Sequence, residues 1–301
     1  MMDNIDLLVS DPSILLQLLL DGLLIGSVFA LAAYGMAMVW GVMNIVNVAQ
    51  GEFVILGGYI TYYLWREIGM YPFLATLLAA IVLFVVGWVL YRLVIARVVD
   101  RDVFTSVLAT FGISIVLQQL MNEGFGADYV NLDTGMTILS LFGGEIDLAL
   151  IKVVSFVVSL IAGGVLAVFL RQGRLGQAIR ATAQHSRAAR VQGIDTGKVY
   201  AMTYGLNCSL CAVTGALVVM IWTIHPFAGL SYTVRSFLIV VVAGVGNLAG
   251  VVVSGLGLGA AEQTAGFVFG SEFQLAFIFV LLVTVLVVRN VRLQRRREHL
   301  Q

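Results

Sequence analysis

Apolar residues in this chain run in long stretches separated by short polar intervals. A bilayer core about 30 Å thick is crossed by a helix of about 20 predominantly apolar residues. That template fits residues 14–40, 44–64, 72–95, 103–121, 148–170, 199–222, 233–269 and 273–288. The pattern predicts an all-α, polytopic membrane bundle of about eight segments, with residues 1–301 forming one transmembrane domain. The stretch 233–269 is too long for one crossing and is interrupted by Gly244, Gly246, Asn247 and Gly250. It is therefore expected to break into a half-helix and a full helix.

Composition agrees with the pattern: 60% of the 301 residues are hydrophobic and 11% are charged, against roughly 25% charged in an ordinary soluble domain. Helices and short loops use up the length and leave no room for a soluble catalytic domain. The net charge of zero says little, but the signs segregate. Arg92, Arg97 and Arg101 form one basic cluster, Arg171, Arg174, Arg180, Arg187, Arg190 and Lys198 a second, and Arg289, Arg292, Arg295, Arg296 and Arg297 a third; only Arg66, Lys152 and Arg235 lie elsewhere. The positive-inside rule makes these clusters cytoplasmic. Asp3, Asp6 and Asp11, and Glu123, Asp128, Asp133, Glu145 and Asp147, then fall outside. With residues 224–232 outside and the C-terminal tail inside, the stretch 233–269 must return to the side on which it began, and the same count places the N-terminus outside. The first residues are acidic where a signal peptide carries a basic region, so the first helix is expected to be retained. The two halves each carry a Gly-rich interrupted segment, a faint internal likeness.

Candidate chemistry is sparse. Cys208 and Cys211 form a C-x-x-C inside an apolar helix with no second ligand pair, which fits small packing residues better than a redox or metal site. His185, His225 and His299 lack the spacing of a zinc site, so no metal is expected. Residues 193–198 miss the phosphate-loop glycine spacing and have Val199 where Ser or Thr is required, so no ATP or other cofactor is expected on this chain. No nucleic-acid partner is expected. The pairs Gly22/Gly26, Gly246/Gly250 and Gly255/Gly259 read as small faces for close helix packing.

The second segment is more informative. Asn44, Asn47, Gln50 and Glu52 crowd its start, and on one helix Asn44, Asn47, Gly51 and Gly58 fall within an arc of roughly 60°. Such a stripe either lines a substrate path or hydrogen-bonds between helices. Glu52 and Glu262 are taken as the only carboxylates within membrane segments, and each must find a partner, protonate or face water. The loop RQGRLGQAIRATAQHSRAARVQGIDTGK, residues 171–198, is basic, rich in helix-forming alanines and punctuated by Gly173, Gly176 and Gly193. It suits either an anchor on membrane lipid or a short helix that docks on a cytoplasmic partner.

These motifs together resemble the branched-chain amino acid permease family. The segment GSVFALAAYGMAMVWGVMNIVNVAQGEFVILGGY (residues 26–59) is similar to that family's signature, through Asn47, Ala49, Gly51, Glu52 and the Gly57-Gly58-Tyr59 end. GRLGQAIRA followed by GID resembles its coupling loop, and VVVAGVGNLAGVVVSGLGLGAAE (residues 240–262) its late Gly-rich segment. The likeness covers nearly the whole chain. Gln50 stands where many members have histidine, and the tail after Val288 lacks the usual Pro-Gly ending.

The resemblance implies a bacterial inner-membrane permease subunit of an ATP-driven importer. It would pair with a second homologous permease, two ATP-binding cassette ATPases and a periplasmic solute-binding protein, with ATP bound by the partners. Arg174, Gly176, Arg180 and Gly193 would serve coupling, and Asn44, Asn47, Gln50, Gly51 and Glu52 the path or its structure. Urea and short-chain amide permeases are similar throughout, so the solute stays open. An ion-coupled secondary transporter would need more intramembrane carboxylates than Glu52 and Glu262. An enzyme would need a nucleophile, base and oxyanion set that the chain lacks in recognisable form.

Overall fold

The computed structural model describes residues 7, 10–99, 101–141 and 146–298, without the side chains of residues 141, 290 and 292–298. Asp3, Asp6, Glu145 and His299 therefore lie outside the described residues, as do the side chains of Arg292, Arg295, Arg296 and Arg297. In chain order the elements are α1 (Pro12–Met43), α2 (Gln50–Ile68), α3 (Pro72–Leu93), α4 (Val103–Phe125), β1 (Ile138–Leu141), β2 (Ile146–Ala149) and α5 (Leu150–Gln172). They continue with α6 (Arg174–Gln184), α7 (Ser186–Val191), α8 (Thr196–Ile221), α9 (Gly229–Ala243), α10 (Leu248–Phe269) and α11 (Gln274–Glu298). The chain is an all-α membrane bundle, and β1 and β2 form a small antiparallel hairpin on one loop, which the hydrophobic pattern did not announce.

Among the described residues, seven helices are long and apolar enough to cross a membrane: α1, α3, α4, α5, α8, α10 and α11. The eighth expected segment is α2, which is more polar because it begins with Gln50 and Glu52 and ends with Arg66 and Glu67. At 1.5 Å per residue it is still about 28 Å long, and its first ten residues are nearly all buried in the bundle. Its surroundings are protein rather than lipid, so it can be less apolar than a helix at the periphery.

α8 is the central helix, packed against α3, α2 and α1. α1 and α10 are held together by small residues. A Cβ on Gly22 would lie 2.5 Å from the Ala260 Cα, and one on Gly259 would collide with the backbone of Gly22 and Gly26. Lipid tails supply no hydrophobic drive between helices, so close backbone approach and its dispersion contacts take that role. The expected faces Gly22/Gly26 and Gly255/Gly259 are thus one interface. The expected Gly246/Gly250 face does not form, because Gly246 sits at φ +84° in the break between α9 and α10.

That break lies where the glycines suggested. Gly244 and Gly246 both adopt positive φ, and Asn247 caps α10 by accepting from the Gly250 N–H at 3.0 Å. The half-helix α9 begins a little earlier than expected, at Gly229. A groove of about 630 Å³ at this end is lined by Asn44, Val99, His185, Arg187, Tyr200 and Val245 among others. Arg289 donates to the Val241 carbonyl at 2.9 Å beside it. The first two arginine clusters and Arg289 therefore gather at one end of the molecule. At the other end Val130 pairs with Ile224, and Leu132 donates to the Val219 carbonyl, strapping the loop after α4 across the top of α8.

Candidate functional site

The polar segment at the α1–α2 junction is not a helical stripe. α1 stops at Asn44, which takes a left-handed conformation (φ 54°, ψ 35°), and residues 44–49 are unwound until α2 starts at Gln50. Asn44 is exposed and Asn47 fully buried, so the expected arc containing Asn44, Asn47, Gly51 and Gly58 does not exist. An unwound backbone inside a bundle must have its polar groups satisfied by neighbours. Thr110 of α4 accepts from the Val48 N–H at 3.1 Å and lies 3.2 Å from the Val46 carbonyl. Thr233 of α9 donates to the Val48 carbonyl (3.0 Å) and accepts from the Gly51 N–H (2.8 Å). Gln50 donates to the Ala32 carbonyl of α1 at 2.9 Å and accepts from Asn47, whose own carbonyl faces the Tyr204 hydroxyl of α8. Sequence spacing gave no hint of Thr110 or Thr233, because both come from remote helices.

Glu52 completes this cluster. Its Oε1 accepts from Gln118 (2.7 Å) and Ser114 (3.2 Å), both on α4. Among the described residues its buried Oε2 has no hydrogen-bond partner. The carboxyl lies in the first turn of α2 and presses on Gly229, the first residue of α9. The carboxyl thus lies at the N-terminal ends of two helices, α2 and α9. A Cβ on Gly51 would collide with the Gly229 carbonyl, so Gly51 is required by the crossing of α2 and α9, whereas a Cβ on Gly229 would meet the Glu52 carboxyl.

Glu262 is paired instead. Arg235 of α9 donates Nε to Oε2 at 3.0 Å and Nη2 to Oε1, a bidentate pair whose side chains keep 13% and 7% exposure. The Arg235 guanidinium also lies over the rings of Phe29 and Tyr232. A third carboxylate lies within a membrane helix and was missed: Asp21 of α1, bonded to Lys152 of α5 at 3.0 Å. Its signal was present in the sequence, since Asp21 falls inside the predicted first segment. Cys208 and Cys211 are free and fully buried, with the Cys208 sulfur closing on Gly87 of α3.

The 171–198 loop contains two helices rather than one. Gly176 lets α6 fold back on the end of α5, where a Cβ would meet the Phe169 carbonyl and stand 2.6 Å from the Leu170 Cα. Arg180 donates to the Arg171 carbonyl at 3.1 Å, capping α5. Ile179, Thr182 and Ala189 are buried, whereas Arg174, Arg180, Arg187 and Val191 are exposed. Gly193, at φ +83°, turns the chain out of α7, and Asp195 caps α8 through the Lys198 N–H at 3.1 Å. α6 rests on α5, α1 and α8.

A family profile described as "Branched-chain amino acid transport system / permease component" matches residues 18–286. The chain belongs to this family. It is 28% identical over 295 residues to the high-affinity branched-chain amino acid transport system permease protein LivH of Salmonella typhimurium, covering 91% of this chain and 93% of that protein. It is also 28% identical over 296 residues to BraD of Pseudomonas aeruginosa, named for the same system, covering 94% and 96%. A probable LivH of Methanocaldococcus jannaschii is 26% identical over 272 residues, covering 87% and 85%. Among solved structures, PsaBC from Streptococcus pneumoniae in complex with Fab aligns with a TM-score of 0.50 at 11% identity, over 95% of this chain and 94% of that one, a likeness of fold alone. This membrane permease is accordingly a transport subunit rather than an enzyme.

Proposed function

We propose that this chain is one translocation subunit of an ATP-driven, binding-protein-dependent importer of branched-chain amino acids in the inner membrane. The observation that carries the reading is the family match over nearly the whole chain, together with the names of relatives aligned along most of their length. Its partners are a second homologous permease, two ATPases and a periplasmic solute-binding protein. The arginine-rich end is cytoplasmic, which puts the N-terminus in the periplasm and the C-terminus in the cytoplasm.

Closure of the ATPases presses on α6 and α7, through Arg174, Arg187 and the exposed Val191. Gly176 and the Arg180 cap fasten α6 to α5, so the push reaches α5, α1 and α8 as a body and tilts the bundle between outward- and inward-open states. ATP and the loaded binding protein each drive this only as far as they prefer one state. Asn47, Gln50, Gly51 and Glu52 act as the buried joint of α1, α2, α4 and α9 rather than as wall of the solute path. Gly244, Gly246, Asn247 and Gly250 turn the chain at the cytoplasmic surface between α9 and α10. Lipid surrounds the exposed faces of α3, α4 and α11.

Reconstitution tests the reading. Leucine uptake into proteoliposomes should require both permeases, the ATPases, ATP and the binding protein. Uptake by this chain alone on an ion gradient would overturn it. Tight binding of urea or acetamide, and none of leucine, by the cognate binding protein would transfer the function to amide import.

A further inference from the structure

A cavity of about 140 Å³ lies between α1, α8, α9, α10 and the start of α11. Its volume is close to that at which an engineered cavity (~150 Å³) accommodates a benzene-sized molecule. It sits toward the end of the bundle away from the arginine clusters: Trp222 directly follows α8, Tyr232 is in the first turn of α9, and Gln274 opens α11. Its wall combines two kinds of surface. Ile25, Phe29 and Trp222 are apolar, with Phe29 and Trp222 stacked at 6.0 Å. Arg235, Glu262, Gln263 and Gln274 are polar.

The charges in this wall sum to zero, yet the two ends are separately available. Arg235 uses Nε and Nη2 on Glu262, and its Nη1 makes no hydrogen bond among the described residues. Nor do the side-chain amides of Gln263 and Gln274. A molecule with one carboxylate and one ammonium can place the first on Nη1 and the second on a Glu262 oxygen, making two charge-assisted contacts without leaving a net charge in the bundle. A neutral amide would use neither charge, and a bare anion or cation would leave one uncompensated. The aromatic and aliphatic wall then receives an apolar side chain by excluding water.

We propose that this cavity is a binding site for the zwitterion of an amino acid with an apolar side chain, occupied as solute enters the bundle from the binding protein. The proposal rests on the transport function above and locates its substrate on this subunit.

The test uses the complete transporter in nanodiscs, illuminated with a diazirine analogue of leucine while loaded binding protein and ATP are present. Adducts should map to peptides bearing Phe29, Trp222 or Tyr232 and should be suppressed by leucine but not by acetamide. In parallel, the charge exchange R235E/E262R keeps an ion pair, and E262Q keeps the shape. Both should lower leucine uptake, read per assembled transporter, roughly tenfold or more. Wild-type uptake of the exchanged variant would reduce the pair to a helix tie and overturn the site, as would adducts confined to other helices. If either variant fails to assemble, the adduct map of the unaltered transporter decides. Absence of leucine uptake by the wild type would sink the transport function, and this site with it; uptake without adducts here would sink the site alone.

Discussion

Two buried polar clusters lie on either side of α9, and they differ in what surrounds them. Around residues 44–52 the backbone is unwound up to Gln50 and nearly every donor and acceptor closes on another protein group. Around Arg235 and Glu262 the helices are regular, the charges pair, and a cavity remains beside them. Polar residues in a membrane protein therefore have two distinct uses. One repairs an irregular backbone, and the other presents chemistry to a molecule that enters.

The largest expected effect would break the closed cluster. Gly51→Ala places a methyl against the Gly229 carbonyl, with no flexible side chain to yield. Destabilisation at the upper end of overpacking, roughly 3 kcal/mol, should appear as loss of monodisperse protein and a lowered Tm in detergent, whereas Gly257→Ala, with open space around it, should be neutral. Next is Thr233→Val, which leaves the Gly51 N–H and Val48 carbonyl without their shared hydroxyl. A loss of about 1–3 kcal/mol is expected, with Thr233→Ser restoring most of it by thermal unfolding.

Smaller effects sharpen the contrast at its edges. Asp21 and Lys152 form a partly exposed ion pair outside the lining of the Arg235–Glu262 cavity, so the double variant D21N/K152Q should cost about 1 kcal/mol or less and leave leucine uptake intact. Gly193→Ala forces a β-carbon into positive φ at the end of α7. It should cost about 1 kcal/mol, seen as faster hydrogen exchange in α7 rather than in the bundle. The least effect is at Asp195, outside the membrane, where hydrogen bonds from Lys198 hold the carboxyl below the ordinary aspartate range. A depressed folded pKa gives stabilisation that is present above the unfolded aspartate value and lost as pH falls through the folded one. Protection of the first turn of α8, corrected for intrinsic exchange, should decline over that acid window in the wild type and stay level in Asp195→Ala.

Membrane character, the approximate segments and the break near Gly244 were all legible in the chain, because each depends on local composition or on the few residues that tolerate positive φ. So were the glycine faces of α1 and α10, although not that they face each other. The α1–α2 corner was misread. Its residues carry a helical spacing, and only contacts from Thr110, Thr233 and Tyr204, which are 62 to 185 residues distant in pairs such as Thr110–Val48 and Thr233–Val48, stabilise the unwound form. The Arg235–Glu262 pair was half legible: the carboxylate demanded a partner, and nothing local named it.

What the sequence alone determined is the solvent this protein lives in and the order of its helices, since burying a helix in lipid depends on about 20 consecutive residues and little else. Which polar groups are consumed by the fold and which remain beside a cavity was decided only by the tertiary structure. Hydrogen bonds and ion pairs in a low-dielectric interior are settled between distant helices, and the empty space beside them belongs to no residue in particular.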